Sequence, residues 1–259
     1  MHPQLAGLLA PNLDRSPCLC LLLEDRDRLM LVDTGFGTRD MKDLTRLGPG
    51  RILLNVLPRP EETAVRQIQA MGFRGDDVTD IICTHLDRDH AGGLSDFPWA
   101  NVHVLEAERR AALLPPTGRE KERYRAQHFK HQPKWVTYEK EGVGEWFGIE
   151  CLRPPELPHE IILVPLPGHT RGHCGVAVYG EEGWVLHCGD AYYIKEELRS
   201  GGRAPLGVRG FRAIAHIDML SAMEQIAHLQ RLMAERPDVK MLASHDQFEY
   251  RNLFGKPLE

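Results

Sequence analysis

VTDIICT at residues 78–84 runs without a break into HLDRDH at residues 85–90, and the fold is read from that junction. A short apolar run rich in β-branched residues reads as a buried strand. It stops where four ligand-type side chains begin: His85, Asp87, Asp89 and His90. A turn after a strand can aim His85 and Asp87 to one side and Asp89 and His90 to another, which suits two adjacent metal ions. Imidazole and carboxylate are the donors of hydrolytic zinc, iron, manganese and cobalt sites, and each ion needs about three protein ligands plus an open position. The remaining donors must come from other strand ends. His169 in PLPGHTRGH, Asp190 in HCGDAYY and His245 in ASHD each follow an apolar run and are the obvious suppliers. Strand ends present catalytic residues to a shared cleft because the sheet holds the anchors still while the loops vary.

Working outward, PCLCLLL (17–23) and LMLV (29–32), split by the charged turn 24–28, predict a β-hairpin leading into Asp33-Thr34-Gly35. A helix is predicted from about Glu61 to Met71, with Val65, Ile68 and Met71 on one face and Gly72 as its stop. NVHVL (101–105) reads as another strand. Residues 106–150 then turn charged and aromatic without strand alternation, and read as helices and loops covering a site. Strands are predicted again at 161–166, 175–179, 184–188 and 239–243. A Gly-rich loop at 200–210 precedes a helix near 219–234, capped by Asp218, with Leu220, Met223, Ile226, Ala227 and Leu232 among its apolar positions. There is no internal repeat, and residues 1–259 read as one domain.

The 259 residues carry a formal net charge of −5, without the basic excess that drives phosphate-backbone binding, so nucleic acid is not expected as a partner. No run approaches the ~20 apolar residues of a membrane span, and the first 17 residues lack the pattern of a secretory signal. The expectation is a soluble, cytoplasmic protein, monomer or homodimer, without membrane attachment. Six scattered cysteines with no CxxC pair read as reduced, mostly buried thiols.

Taken together, Asp33, the HLDRDH loop, His169, Asp190 and His245 occur in an order that resembles the metallo-β-lactamase superfamily over nearly the whole chain. That resemblance implies an αββα sandwich, an α/β fold of two mixed sheets flanked by helices, with a dimetal cleft along one edge. Carried over position by position, it implies that His85, Asp87 and His169 hold one ion, that Asp89, His90 and His245 hold the other, and that Asp190 bridges them. It gives Asp33 a bracing role behind the ligands, although a plain strand-ending turn explains that aspartate equally well. HAGGL after the metal loop, GHTRGH around His169, and Tyr193 three residues beyond Asp190 resemble the N-acyl homoserine lactonases in particular. In those enzymes the tyrosine reaches the substrate carbonyl.

The chain departs from the HxHxDH pattern at Asp87. A carboxylate is harder and more negative than imidazole, which tilts a zinc position towards manganese or iron. Asp87, Asp89 and Asp190, with a shared hydroxide, would formally cancel two divalent cations, and such a site favours a neutral ester or lactone. The competing reading is that Asp87 points away and caps the loop. His173 reads as a hydrogen-bonded structural histidine, His128 and His131 as surface or substrate-pocket residues, and Cys174 and Cys188 as packing. The implied function is hydrolysis of a carbonyl ester, foremost a lactone, by attack of a hydroxide shared between two ions. Asp89 or Asp190 would orient the nucleophile, and Tyr193 with one ion would stabilise the oxyanion. A glyoxalase II-like thioesterase, a phosphodiesterase and a non-catalytic binding module are the alternatives.

Overall fold

A computed structural model describes residues 16–25, 28–51, 56–139, 144–199, 202 and 204–254. By contact density the chain forms two compact units: one is Cys20–Glu139, and the other joins the residues up to Leu19 to those from Lys140 onward. Each holds its own mixed sheet and helices, as expected of an α/β chain.

In the Cys20–Glu139 unit, β1 (Leu21–Asp25) and β2 (Arg28–Val32) pair antiparallel, as the hairpin reading predicts. Two residues of its charged turn, Arg26 and Asp27, lie outside the described set. Beyond β2 the sheet is parallel: β3 (Val78–Ile82), β4 (Asn101–Leu105) and β5 (Lys134–Tyr138) follow in order. Leu29, Leu31, Ile81, Val102 and Val104 are buried with Leu94 and Phe97 in one core. Each fully buried side chain of this size is worth roughly 1.5–3 kcal/mol of transfer free energy. Because β2 and β3 are parallel and register Val32 with Ile82, their C-terminal ends deliver Asp33 and Thr84-His85 to the same edge of the sheet.

The other unit is built on β8 (Ile161–Pro165), β9 (Cys174–Gly180), β10 (Gly183–His187) and β11 (Lys240–Leu242), in the order β11-β10-β9-β8. β9 runs antiparallel to both β8 and β10, while β11 is parallel to β10. The C-terminal ends of β8, β10 and β11 therefore share an edge, from which His169, Asp190 and His245 project in the following loops. A small hairpin, β6 (Gly144–Trp146) and β7 (Ile149–Cys151), buries Trp146 and Cys151 in the same core.

Four expectations are corrected. Residues 106–150 are not free of strands: two helices (Glu106–Leu113 and Gly118–Arg123) are followed by β5, β6 and β7, which are too short for a strand pattern to show among their charged neighbours. The helix expected at 61–71 is Ala64–Ala70, with Ile68 buried but Met71 62% exposed, because the chain turns at Gly72 with φ +93. Much of the loop expected at 200–210 is the start of a helix, Leu206–Ala215; residues 200, 201 and 203 lie outside the described set. Helix Met219–Glu235 forms with Asp218 accepting from the backbone N–H of Leu220 and Ser221, as predicted. Its buried stripe, however, is Ala222, Ile226, Leu229 and Leu232, while Leu220 and Met223 face solvent and Ala227 is exposed.

Candidate metal centre

In the Cys20–Glu139 unit the cluster begins at Asp33. Its backbone is left-handed, φ 58, a conformation that a short polar side chain tolerates better than most. From there the buried carboxylate accepts from Thr84 N at 2.8 Å and Thr84 Oγ1 at 2.7 Å, and meets His90 Nδ1 at 2.8 Å. The last contact fixes the tautomer: Nδ1–H donates to the carboxylate, so the lone pair of His90 is on Nε2. A carboxylate behind an imidazole in this way orients metal-binding histidines and raises their basicity. Asp33 thus takes the bracing role.

Asp87 is the N-cap residue of a one-turn helix, Arg88–Ala91, but its side chain makes no capping hydrogen bond. The loop-capping reading of Asp87 is therefore corrected. Its Oδ2 lies 3.5 Å from His85 Nε2 and accepts from Arg123 Nη1 at 2.8 Å. The His85 and His90 rings lie side by side, with centroids 3.9 Å from each other and planes tilted by 44°. Asp89, in the first turn of the same helix, is partly exposed.

The glycines of HAGGL have a packing role. The loop from Asp33 lies so close that a Cβ on Gly93 would stand 2.8 Å from Thr34 O and 2.9 Å from Thr34 Cβ. Thr34 Oγ1 donates to His90 O, and Gly93 N–H donates to Gly35 O. The run is a backbone requirement of the metal loop, so it says little about substrate.

In the second unit, Asp190 offers one oxygen to each of two imidazoles. Oδ2 is 3.3 Å from His169 Nε2, and Oδ1 is 3.2 Å from His245 Nε2. Its backbone N–H donates to His173 Nε2 at 2.9 Å, and His173 Nδ1–H donates to Leu166 O, the structural role expected of that histidine. His245 Nδ1–H donates to Pro17 O at 2.7 Å, which again leaves Nε2 as the donor nitrogen. Burial alone would push the His245 pKa down, but the facing Asp190 carboxylate raises it well above the ordinary value.

Tyr193 is buried, with its hydroxyl 3.2 Å from His169 Nδ1. His216 Nδ1 lies 3.0 Å from that same nitrogen, and its ring stacks on Tyr193. His216 sits in the apolar run AIAHI, where nothing marks it as a site residue. Arg123 was equally hidden, inside GREKER, which reads as a solvated helix. His128 is fully buried, 3.0 Å from Asp40 Oδ1, so the surface or pocket reading of it is corrected. No disulfide occurs among the described cysteines: Cys18 and Cys20 are half-buried and the other four buried.

Histidines with fixed Nε2 donors, set beside carboxylates on the strand-end edge of each sheet, suit divalent cations and define a metal-dependent hydrolase of mixed α/β architecture. The chain belongs to the metallo-beta-lactamase superfamily, whose family profile matches residues 13–239. It is 40% identical over 236 residues to a probable metallo-hydrolase of Mycobacterium tuberculosis, covering 90% of this chain and 76% of that one. With an N-acyl homoserine lactonase of Bacillus thuringiensis it shares 28% identity over 211 residues, 76% and 73% of the two chains. Among solved structures, an N-acyl homoserine lactone hydrolase with N-hexanoyl-L-homoserine bound at its catalytic metal centre matches with a TM-score of 0.68. The identity there is 25%, over 94% of this chain and 87% of that one. Among the described residues no helix is long and apolar enough to cross a membrane.

Proposed function

We propose that the chain hydrolyses a carbonyl ester, foremost a lactone, at a centre of two divalent ions. His85, Asp87 and His169 would hold one ion, Asp89, His90 and His245 the other, and Asp190 would serve both. The observation that carries this reading is Asp190, which turns one carboxylate oxygen to His169 and the other to His245. That is the posture of a bridging ligand. Superfamily membership and the lactonases among the similar proteins support the assignment of reaction and substrate class.

Bound divalent cations supply Lewis acidity to a carbonyl and make hydroxide available from water at neutral pH. The chain's own groups do the rest. Asp33 and the Pro17 carbonyl keep the protons of His90 and His245 on Nδ1, so both rings present Nε2. If His169 takes an ion through Nε2, its proton must sit on Nδ1, which faces Tyr193 Oη at 3.2 Å and His216 Nδ1 at 3.0 Å. The phenolic hydrogen remains for Tyr193 to donate to the substrate carbonyl as negative charge develops there. Asp89 or Asp190 accepts the hydrogen bond that orients the attacking water. Zinc suits the imidazole-rich donor set; manganese or iron suits the oxygen that Asp87 contributes.

The test is a screen of N-acyl homoserine lactones, linear esters, thioesters and phosphodiesters with protein reconstituted separately with zinc, manganese and iron. Lactone turnover well above the other classes, with two equivalents of metal, is the expected result. Preference for thioesters or phosphodiesters would overturn the substrate assignment, and one equivalent at full activity would overturn the dinuclear one.

A further inference from the structure

We propose that Arg123 is the counter-charge of Asp87, so that the pair fills, as a net-neutral unit, the place where the HxHxDH pattern has a neutral histidine. The inference rests on the reading of Asp87 as a metal ligand. Arg123 Nη1 donates to Asp87 Oδ2 at 2.8 Å, and that oxygen is 3.5 Å from His85 Nε2. The two side chains are only 11% and 14% exposed, so water and salt screen the pair far less than a surface ion pair.

Three consecutive loop residues are tied to the segment that carries this arginine. Leu86 N–H donates to Glu108 Oε1 at 2.9 Å, and the same oxygen accepts from Tyr124 Oη at 3.1 Å. Asp87 takes Arg123. Arg88 donates to the carbonyls of Glu122 at 3.0 Å and Arg123 at 3.1 Å, closing the C-terminal end of helix Gly118–Arg123, and its Nη1 reaches Leu47 O. An arginine on a solvated helix has no need of such fixing. A guanidinium that must hold its charge beside one carboxylate does.

Exchange of histidine for aspartate changes two properties of a ligand position, hardness and charge. Arg123 cancels the second and leaves the first, because guanidinium stays protonated at any working pH. The centre thereby gains a hard oxygen donor without becoming one unit more negative. With that pair neutral, Asp89 and Asp190 balance less of the cations' charge than three carboxylates would.

The experiment measures zinc and manganese affinity of metal-stripped protein by competition with a chromophoric chelator, alongside thermal melts. It uses wild type, Arg123→Gln, Arg123→Lys, Asp87→Ala, Asp87→His and the double variant Asp87→His/Arg123→Gln. A counter-charge repels a dication whatever residue occupies position 87. Arg123→Gln should therefore tighten binding in both the Asp87 and the Asp87→His protein, by about tenfold, the size of the repulsion between a unit charge and a dication about 6 Å apart even at the dielectric of water. Arg123→Lys, which keeps the charge, should stay near wild type even if the glutamine variant folds poorly. Weaker binding in Arg123→Gln with no effect in the Asp87→His background would overturn the proposal and leave Arg123 a mere positioner of Asp87. Retention of both ions at wild-type affinity in Asp87→Ala would instead overturn the ligand reading on which it rests.

Discussion

Asp33→Asn changes one oxygen of a buried carboxylate into an NH2 group. The Asn side chain tolerates the left-handed backbone at φ 58, so the local chain path should survive. Asn Oδ1 can still accept from Thr84 N–H, and the Thr84 hydroxyl can turn to accept rather than donate. His90 has no such freedom. Its Nδ1, 2.8 Å from Asp33 Oδ2, would meet a donor where it had an acceptor, and the ring must move its proton to Nε2 to recover the contact. That proton occupies the lone pair required by a metal ion. The lost hydrogen bond to a charged acceptor is worth about 1.5–3 kcal/mol. At about 2–4 °C per kcal/mol for a chain of this size, the melt should fall by roughly 3–12 °C. Metal affinity should fall by about 10–100-fold, as for other partners behind metal-bound histidines. Asp33→Ala should cost more, since it strands all three donors and adds about 1–2 kcal/mol of left-handed backbone strain. Denaturant unfolding, chelator competition and nitrogen-15 spectra of the His90 ring read out the three effects. Stability within about 0.5 kcal/mol of wild type, together with unchanged metal affinity, would refute the bracing role of Asp33.

Tyr193→Phe should lower turnover by about 10- to 1000-fold with metal content unchanged, the upper end being the loss of a full oxyanion donor; unchanged kcat on the best substrate would reduce the tyrosine to packing. Chelation should abolish hydrolysis and several divalent metals should restore it to different extents, so full activity in protein proven metal-free by elemental analysis would defeat the mechanism. A Cβ on Gly168 would stand 2.3 Å from Ala222 N and 2.6 Å from its Cα, backbone atoms of a long helix that cannot yield. Gly168→Ala should displace His169, with a fall in both melt temperature and metal content; a wild-type melt would contradict the close packing. Burial raises the Glu249 carboxyl pKa to about 7, from an ordinary 4.5. Its contribution to stability is therefore full below about pH 4.5 and is lost as pH rises through about 7, by roughly 3 kcal/mol at most. Glu249→Gln should be less sensitive than wild type to a shift from pH 5 to pH 8 in denaturant unfolding, and an equal loss in both proteins would contradict this.

Much of the centre was legible in the one-dimensional pattern. Strands that end in His or Asp can be read without coordinates because apolar runs must be buried and ligand-type residues at their ends have few other uses. The segments 78–84, 161–166 and 184–188 and the cap at Asp218 were found in that way. Elements whose burial depends on neighbours were not legible. β5 is only five residues long within a charged region and does not alternate, and it is a strand because β4 offers it a parallel edge. Leu220 and Met223 carry the right polarity for a core, yet they lie on the exposed side of the helix, because Ile226, Leu229 and Leu232 are the residues packed in the core with the sheet.

The kind of chemistry could be read before any coordinates, since donor type and order along the chain are properties of residues. How each donor is prepared depends on the folded chain. The proton of His90 is located by Asp33, 57 positions away, and the charge of Asp87 is balanced by Arg123, 36 positions away. An imidazole tautomer and a carboxylate's net field depend on what lies within about 3–4 Å, and at such separations chain order says nothing about distance.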